Sequence, residues 1–414
     1  MKLLPMLMAF GFIFSAKAEE CSHVYTPHHL FEEAMKRNIH LELKDLQNKA
    51  LEGHIQEAHK IYNPEFEHFT TTGNQFGNNN ITSESRIWFN IQLNNKRAKK
   101  ARVAEADKEI GQVELEVLRL QLRQEIFLAI LRYKQIHREI GAVENLSEVV
   151  QNFIQRYKKV GFLTPEQRVE VGSLELSNRD LDMRHASLQN EGDLILRLFQ
   201  KMTGESCDVK VTLADTGEND WPKLDAYEFK PDQALTFKID QLVLKKSEFE
   251  FDRENSKKVP DLKIGPVWQL NKLGNQEYNI FGVGLIMPMP FFDRNQGLRT
   301  SAEYNMKRAR REEEFRRVQR QKEFDFRLDS YLRLREKING NTDLEEYNKL
   351  TNEYKKLFTR GLITTSSFLT YKRELLNLTL EVHRIENALA AHLMELYRLN
   401  NQATDGFLKK VLKL

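Results

Sequence analysis

The sequence lacks the signatures of an enzyme. It contains no HExxH, CxxC or GxSxG pattern, and neither a Walker loop nor a dinucleotide-binding fingerprint. The pair Gly282-x-Gly284 lies in a strand-like segment that leads to prolines, which excludes a phosphate-binding loop. His23, His28 and His29 concentrate possible metal ligands near the N-terminus, but a polar N-terminal segment explains them more simply. We therefore predict no catalytic activity, no cofactor and no metal site.

The sequence also lacks a long apolar run and an excess of one charge. Beyond the first positions there is no run of about 18 apolar residues, so no transmembrane helix is predicted. Lys2, the apolar segment 3–14 and Ala16-Lys17-Ala18 predict a signal peptide of residues 1–18. Removing it takes away two lysines and no acid, so the net charge falls from +3 to +1. This near-neutral balance argues against binding to nucleic acid.

Cysteine is scarce as well, since the chain contains only Cys21 and Cys207. Export would place both in an oxidising compartment, where a Cys21–Cys207 disulfide can form. Two free thiols are the alternative. Cys21 follows the predicted cleavage site closely, as a lipid-modified cysteine would, but the acidic pair Glu19-Glu20 before it does not resemble a lipobox. We predict that the mature chain is not lipidated.

Long uninterrupted helical patterns dominate what the sequence does contain. Between Lys96 and Val160 there is no proline, and apolar residues recur at spacings of three and four, as in a coiled coil. This stripe comprises Leu115, Leu118, Leu122, Ile126, Ala129, Tyr133, Ile136 and Ile140. At 1.5 Å per residue such a helix is roughly 95 Å long, which no compact domain requires. Thr164 caps a returning helix that begins at Pro165.

The same organisation occurs twice along the chain. Each copy has a helix, a strand, a polar loop, a second strand, a long helix, a tight turn and a returning helix. Asn63-Pro64 recurs as Val259-Pro260, and the Gly161 turn recurs at Gly361. The first helix is expected over 28–62, and the second long helix from 297 towards 358 with a weak point at 339–341. The predicted divisions are a first repeat at 19–202, a connector (equatorial region) at 203–231, a second repeat at 232–400 and a basic tail at 401–414.

The predicted strands have one apolar face and one mixed face. In the segment 86–93, Ile87, Phe89 and Ile91 share one side, and Trp88 lies on the other. Aromatic residues in or near the strands, as membrane-interface girdles require, are Phe66, Phe69, Trp88, Phe89, Trp268, Tyr278 and Phe281. Four strands cannot close even a small barrel of about eight strands. Three chains would supply twelve.

The strand exit Met287-Pro288-Met289-Pro290-Phe291-Phe292-Asp293-Arg294-Asn295-Gln296-Gly297 is the most specific motif. Together with the duplicated unit, it resembles the TolC family of outer-membrane efflux proteins over nearly the whole mature chain. The motif is similar to the P-L-F-D-R-N-Q-G signature of the heavy-metal branch, which exports cobalt, zinc and cadmium or copper and silver. The resemblance implies a fold that is mainly α with a small β part. Long coiled-coil hairpins would form an α-cylinder below a trimeric 12-stranded β-barrel.

The resemblance also implies a function and its partners. The protein would be a homotrimer in the outer membrane of a Gram-negative bacterium, surrounded by outer-membrane lipid and extending into the periplasm. It would be the exit duct of a tripartite pump, with a periplasmic adaptor and an inner-membrane transporter of the resistance-nodulation-division type. Small solutes, with heavy-metal cations among the candidates, would pass passively.

Site residues follow from the resemblance. The adaptor would dock at two periplasmic turns, formed by Gly161, Phe162, Leu163 and Thr164 and by Gly361, Leu362, Ile363 and Thr364. Each glycine would also permit a left-handed turn conformation. Pro288, Pro290, Asp293 and Arg294 would mark the strand-to-helix rim of the barrel.

The entrance departs from the family pattern. Ser366, Ser367 and Phe368 stand where acidic residues would follow the second turn, so an acidic ring is not supported. Lys158, Lys159 and Arg360 could form inter-helix salt links that close the entrance, or simply a solvated basic rim.

Two other functions fit parts of the pattern. One is the outer-membrane component of a type I protein-secretion system, which has the same fold. The other is a water-soluble periplasmic coiled-coil protein without a barrel.

Overall fold

The computed structural model describes residues 22–75, 78–212, 221–224, 227–273, 275–341, 344–360 and 362–401. The predicted signal peptide therefore lies outside the described residues. The described helices are α1 (Pro27–Arg37), α2 (Ile39–His59), α3 (Lys96–Lys158), α4 (Pro165–Thr203), α5 (Leu235–Ser256), α6 (Gln296–Asn341), α7 (Leu344–Thr359) and α8 (Thr365–Leu399). The described strands are β1 (Ser22–Tyr25), β2 (Glu65–Gln75), β3 (Asn78–Ile91), β4 (Asp208–Val211), β5 (Leu262–Leu273) and β6 (Gln276–Ile286).

The first long helix agrees with its prediction. Helix α3 spans 63 residues, from Lys96 to Lys158. It is roughly 95 Å long at 1.5 Å per residue. Leu122, Ile126 and Ile136 of the predicted stripe are buried. The second long helix is described as α6, which reaches Asn341, and α7, which starts at Leu344, and residues 342–343 between them lie outside the described residues.

The single helix expected over 28–62 is wrong. Asn38 separates α1 from α2 with an extended backbone, φ −67° and ψ 118°. Its side-chain Oδ1 accepts a hydrogen bond from the His40 backbone N–H at 2.9 Å. Asparagine side chains compete in this way for helical N–H groups, so Asn38 ends one helix and caps the next.

Two apolar cores hold the helices together. The larger lies midway along α3, where α1, α4, α6 and α8 contribute the fully buried Leu30, Phe199, Tyr331 and Leu389. The smaller lies near the helix turns. It joins the end of α3 to α4 and α8 through Val150, Leu174 and Phe368. The two helical hairpins are therefore packed against each other along much of their length.

A four-stranded antiparallel sheet lies at the other end of the long helices, with strand order β2-β3-β5-β6. Each repeat contributes one hairpin, and β3 pairs with β5 in the middle of the sheet. Between the pairs Arg86↔Val267 and Phe89↔Ile264, two ladder pairs are missing. Pro266 lies at this gap and has no N–H to donate. A Cβ at Gly265 would overlap the Ile87 carbonyl oxygen, so only glycine fits the close approach of β5 to β3.

A second, two-stranded sheet was missed by the sequence analysis. Strands β1 and β4 pair in parallel, from Ser22↔Asp208 to Tyr25↔Val211. The four strands expected for the barrel are those of the larger sheet, and β1 and β4 are two further strands among the described residues. His23, in the N-terminal segment expected to be polar, lies in β1. Both strands have four residues, too few for a readable alternation.

The two repeats share local geometry at their long-helix starts. Asn95 and Asn295, 200 positions apart, both have φ 59°. Each carbonyl accepts a backbone hydrogen bond four residues on, from Lys99 at 3.0 Å and from Arg299 at 3.0 Å. A non-glycine residue with positive φ is uncommon, so the coincidence supports the duplication. The predicted repeat, connector and tail boundaries remain predictions.

Candidate functional site: the four-stranded sheet and the helix turns

One side of the four-stranded sheet carries apolar side chains that no described residue covers. This apolar face comprises Phe66, Ile87, Phe89, Ile91, Leu262, Ile264, Trp268, Leu270, Phe281, Val283 and Leu285, which the register places on one side. Phe281 and Val283 are each 77% exposed. Soluble monomers rarely expose an apolar surface of this extent. Its exposure therefore indicates that an apolar environment or a partner covers the apolar face.

The opposite, polar face of the sheet carries charged residues, namely Glu65, Glu67, Glu84, Arg86 and Lys263. Lys263 Nζ donates to a Glu65 carboxylate oxygen at 2.6 Å. Arg86 Nε donates to Glu84 at 2.7 Å. The acids outnumber the bases on this face, which favours cations over anions near it.

Trp88 is buried on this polar face. Its Nε1–H donates to Glu67 at 2.8 Å. Its ring fills the space beside Gly284, where a Cβ would lie 2.5 Å from the Trp88 Cη2 atom. Gly284 thus leaves room for an indole, whereas a Cβ at Gly282 would meet nothing within 4 Å.

Both edges of the sheet are open within one chain. Among the described residues, strands β2 and β6 each pair with a neighbour on one side only. Every residue of β6 except Gly284 is exposed. Unpaired edge strands are templates for pairing with another chain. Because the four strands alternate in direction, β6 of one copy and β2 of the next would meet in antiparallel orientation.

The link from β6 to α6 contains the predicted rim residues. Pro288 and Pro290 lie between the end of β6 and the start of α6. Arg294 Nε donates to the Pro290 carbonyl at 3.0 Å. Asp293 Oδ1 accepts from the Asn295 backbone N–H at 2.8 Å. These bonds fix the path of the chain between sheet and helix.

The link is also attached to the end of α5. Asn295 Nδ2 donates to the Glu254 carbonyl at 2.8 Å and to its carboxylate at 3.0 Å. Burial alone would raise the pKa of Glu254. The hydrogen bonds from Lys257, Asn295 and Arg253 outweigh burial and lower the pKa of this carboxyl. Glu254 therefore holds a negative charge that orients the link.

The first helix turn is capped as predicted. Thr164 Oγ1 accepts from the Gln167 N–H at 3.2 Å, and Gln167 Oε1 accepts from the Thr164 N–H at 2.9 Å. This reciprocal pair is a capping box. The left-handed conformation expected of Gly161 is wrong, since its φ lies outside the positive range. A Cβ there would meet nothing within 4 Å, so the turn itself does not require glycine.

The second turn repeats the first. Thr364 Oγ1 accepts from the Ser367 N–H at 3.1 Å. Gly361 lies outside the described residues. At each turn one apolar residue is exposed, Phe162 at 85% and Leu362 at 66%. The next residue in each turn, Leu163 and Ile363, is partly buried.

The predicted entrance salt links are only partly visible in one chain. Lys158 Nζ lies 3.7 Å from Glu175, a bridge between α3 and α4 of the same hairpin. Lys159 and Arg360 are exposed. A link between the two hairpins that sequence analysis missed is Arg373, whose Nη2 donates to Ser177 Oγ at 2.8 Å. The sequence gave no signal for this hydrogen bond, because arginine and serine are common on helix surfaces.

Sequence analysis also missed a buried polar network in the helical part. Arg132 donates to both oxygens of Glu139, at 2.8 and 3.2 Å, and to Glu191 at 2.7 and 2.8 Å. His383 Nδ1 lies 2.7 Å from Glu139. Burial would raise the pKa of Glu139, but His383 and Arg132 together lower it. The network joins α3, α4 and α8, and its only sequence signal was polar residues adjoining an apolar stripe.

The remaining residues singled out by sequence analysis are the cysteines and the N-terminal histidines. Cys207 is disulfide-bonded, and Cys21, the other cysteine of the chain, lies outside the described residues. His23 Nδ1 lies 3.2 Å from Glu205. Among the described residues, no group of three or more histidine, cysteine, aspartate or glutamate side chains is arranged to hold a metal ion.

No helix in the described part of the chain combines the length and the apolar composition needed to cross a membrane.

Comparison with known proteins supports a specific fold. No protein-family model matches the chain. The cobalt-zinc-cadmium resistance protein CzcC of Cupriavidus metallidurans is 23% identical over 273 residues, which are 63% of this chain and 62% of CzcC. The chain thus matches less than two thirds of the length of that relative.

Solved structures match over nearly the whole chain. The CmeC outer membrane channel of Campylobacter jejuni has a TM-score of 0.71 at 12% identity, covering 94% of this chain and 89% of CmeC. CusC has a TM-score of 0.73 at 13% identity, covering 91% and 92%. The outer membrane protein VceC of Vibrio cholerae has a TM-score of 0.69 at 14% identity, covering 91% and 96%. The predicted fold, mainly α with a small β part and resembling the TolC family, is confirmed.

Proposed function

Starting from the fold shared with outer-membrane channels, we propose that this protein is the exit duct of a tripartite efflux pump. It acts in the outer membrane of a Gram-negative bacterium as a passive channel and not as an enzyme. The observation that carries the proposal is the four-stranded sheet. Its apolar face is exposed, both its edges are open within the described chain, and it is joined to α3, a helix roughly 95 Å long.

A homotrimer accounts for the open edges and the uncovered faces. Pairing β6 of each copy with β2 of the next closes twelve strands, with the apolar face towards outer-membrane lipid and the polar face towards the lumen. The helices also leave apolar residues uncovered. Val169, Leu176 and Met183 recur every seven residues on α4 and are 74%, 67% and 67% exposed. A seven-residue apolar repeat favours packing against helices of neighbouring copies.

The helix turns are the proposed contact with the rest of the pump. We assign adaptor docking to Gly161, Phe162, Leu163 and Thr164 and to Gly361, Leu362, Ile363 and Thr364. Phe162 and Leu362 are the most exposed apolar side chains of these turns. A periplasmic adaptor would connect them to an inner-membrane transporter of the resistance-nodulation-division type. Inter-helix links of Lys158, Lys159 and Arg360 remain a proposal for the entrance, and Pro288, Pro290, Asp293 and Arg294 remain one for the barrel rim.

The exported solutes are small, and we assign heavy-metal cations to them. The similarity to a cobalt-zinc-cadmium resistance protein supports this assignment. The acid excess on the polar face is consistent with a cationic solute.

Deletion and complementation test the function. A strain without the gene is expected to lose tolerance to zinc, cobalt or cadmium salts, and the wild-type gene to restore it. The Phe162→Asp/Leu362→Asp double variant should fail to restore tolerance, because charge at both turns opposes apolar docking. Glu166→Gln, an exposed change in the first turn of α4, is the matched control and should restore it.

Trimer formation must be measured on the same samples. All variants should form detergent-extracted trimers that dissociate on heating, since the altered side chains are exposed. Unchanged metal tolerance after deletion would contradict metal export. Loss of secretion of a protein substrate would instead indicate a type I secretion component. Water-soluble material without trimers would contradict the channel itself.

A further inference from the structure

Helices α1 to α4, which belong to the predicted first repeat, form a length of chain whose two ends meet in the two-stranded sheet. Strand β1 precedes α1, and β4 follows α4. Their parallel pairing runs from Ser22↔Asp208 to Tyr25↔Val211. The Thr212 N–H extends this pairing by donating to the Tyr25 carbonyl at 2.9 Å. The first repeat is therefore closed on itself by backbone hydrogen bonds.

Glu205, between α4 and β4, fastens the same ends with its side chain. This carboxylate is 10% exposed. The Tyr25 hydroxyl of β1 donates to Glu205 Oε1 at 3.1 Å, and the Arg37 guanidinium at the end of α1 donates to the same oxygen. His23 Nδ1 of β1 contacts the other oxygen. One buried carboxylate thus holds both β1 and α1.

A disulfide closes the same length of chain covalently. Cys207 lies between Glu205 and β4, and it is disulfide-bonded. The chain has one other cysteine, Cys21, which directly precedes β1 in the sequence, so the intramolecular partner of Cys207 is Cys21. Gln200 Nε2 donates to the Cys207 carbonyl at 3.2 Å and ties this segment to α4. Cys207 is only partly buried, so a small thiol can approach it.

The second repeat is closed without a thiol. Asn400, at the end of α8, is 1% exposed. Its Oδ1 accepts from the Lys230 N–H at 2.9 Å, and its Nδ2 donates to the Glu228 carbonyl at 2.8 Å. Lys230 and Glu228 lie a few residues before α5, so Asn400 joins the two ends of helices α5 to α8. None of these groups can be oxidised or reduced by a thiol.

The disulfide is the strongest of the three closures of the first repeat. A cross-link stabilises a fold mainly by restricting the unfolded chain, and the effect grows with the length of the loop that it closes. Here the loop includes four helices. A two-stranded pairing alone is only marginally stable in water. Without the disulfide, β1 and α1 can therefore separate from α4, which would expose Leu30 and Ala34 of the larger core.

We propose that Cys207 is a thiol–disulfide exchange site whose oxidation closes the first repeat, whereas the second repeat stays closed in either redox state. On oxidation, the two thiols of the chain lose two protons and two electrons as the S–S bond forms. A disulfide of an oxidising protein or small molecule accepts them and becomes two thiols. Reduction by a dithiol reverses the step and loosens β1 and α1. This inference goes beyond the channel function and does not depend on it.

Hydrogen exchange followed by mass spectrometry tests the proposal on the purified full chain, with and without dithiothreitol. Reduction is expected to speed amide exchange over residues 22–37 by about tenfold and to leave residues 227–230 unchanged. Cys207→Ser should match the reduced wild type in both conditions. Asn400→Ala is the matched control for the second repeat and should speed exchange over 227–230 in either redox state. The oxidised wild type should be lighter than the reduced form by two hydrogen atoms.

Three outcomes would overturn the exchange site. Unchanged exchange over 22–37 in the reduced wild type would show that β4 and Glu205 hold β1 and α1 without the disulfide. Equal acceleration over 22–37 and 227–230 would show that the disulfide stabilises the whole chain and not the first repeat. A mass that does not change on reduction would show that the thiols are never joined. The reduced wild type supplies the result even where Cys207→Ser fails to fold.

Discussion

Gly265 shows how closely β5 and β3 approach in the four-stranded sheet. The missing ladder pairs beside Pro266 bring the Ile87 carbonyl to the place that a Cβ at position 265 would occupy. Gly282 lies in the next strand with open space where its Cβ would be. Of these two glycines, only Gly265 is required by the close approach of a neighbouring backbone.

The substitution Gly265→Ala is expected to destabilise the trimer, because β5 must move away from β3 to admit the methyl group. The cost is about 1–3 kcal/mol per chain, the usual range for overpacking. It should appear as a lower temperature of trimer dissociation in a gel assay. Gly282→Ala is the matched control and should leave that temperature almost unchanged. An equal temperature for both variants would show that the sheet relaxes without cost.

Helices α3, α4 and α8 are connected by the polar network of Arg132, Glu139, Glu191 and His383. Breaking a buried ion pair leaves a charge without a partner, which costs more than losing an exposed pair. Glu139 has a side chain 2% exposed, and Glu191 one 41% exposed. The two acids bind the same guanidinium and so provide a direct comparison.

Glu139→Gln is expected to lower the free energy of unfolding by about 3 kcal/mol at neutral pH, and Glu191→Gln by less. The pKa of Glu139 is lowered from 4.5, so its stabilising contribution is present above pH 4.5 and is lost as pH falls through the lower pKa of the folded state. Thermal unfolding followed by circular dichroism should therefore show a steeper acid loss for wild type than for Glu139→Gln. Parallel acid profiles would assign the loss to other carboxylates.

The sequence predicted elements that persist over many turns and missed those that depend on a few residues. Helix α3 was predictable because its apolar stripe repeats over dozens of residues. The break at Asn38 was not, because it depends on one side chain taking the His40 N–H. Strands β1 and β4 are too short for periodicity, and their pairing joins segments far apart in sequence. Local patterns cannot report such contacts.

The candidate site was likewise predictable from the sequence only in part. Alternation predicted the apolar face of the sheet, and proline and glycine positions predicted the exits and turns. The backbone of Gly161 contradicted its expected role because the turn closes without a left-handed residue. The Arg132 network and the Arg373–Ser177 bond depend on which helices become neighbours. Composition and spacing leave that choice open.

The whole molecule is predicted to favour cations as a channel, because three copies of the polar face would place an excess of acids in one lumen. Glu84→Lys changes the charge of each chain by two units on that face. In planar bilayers under a salt gradient, the reversal potential should shift towards anion selectivity. Glu277→Lys makes the same change on the apolar side of β6, where the register places it with Phe281, and should shift it far less. Equal shifts would mean that overall charge, and not lumen charge, sets selectivity.

The open edges of the sheet have a genetic consequence. The described part of a single chain leaves β2 and β6 without outer partners, so in the proposed trimer these edges are paired only when the ring of copies closes. One mutant chain whose edge strand cannot pair prevents ring closure for the two wild-type chains in the same trimer. Mutations in β2 or β6 should therefore be dominant over a wild-type gene in the same cell. Mutations confined to the exposed turns should be compensated by the wild-type chains.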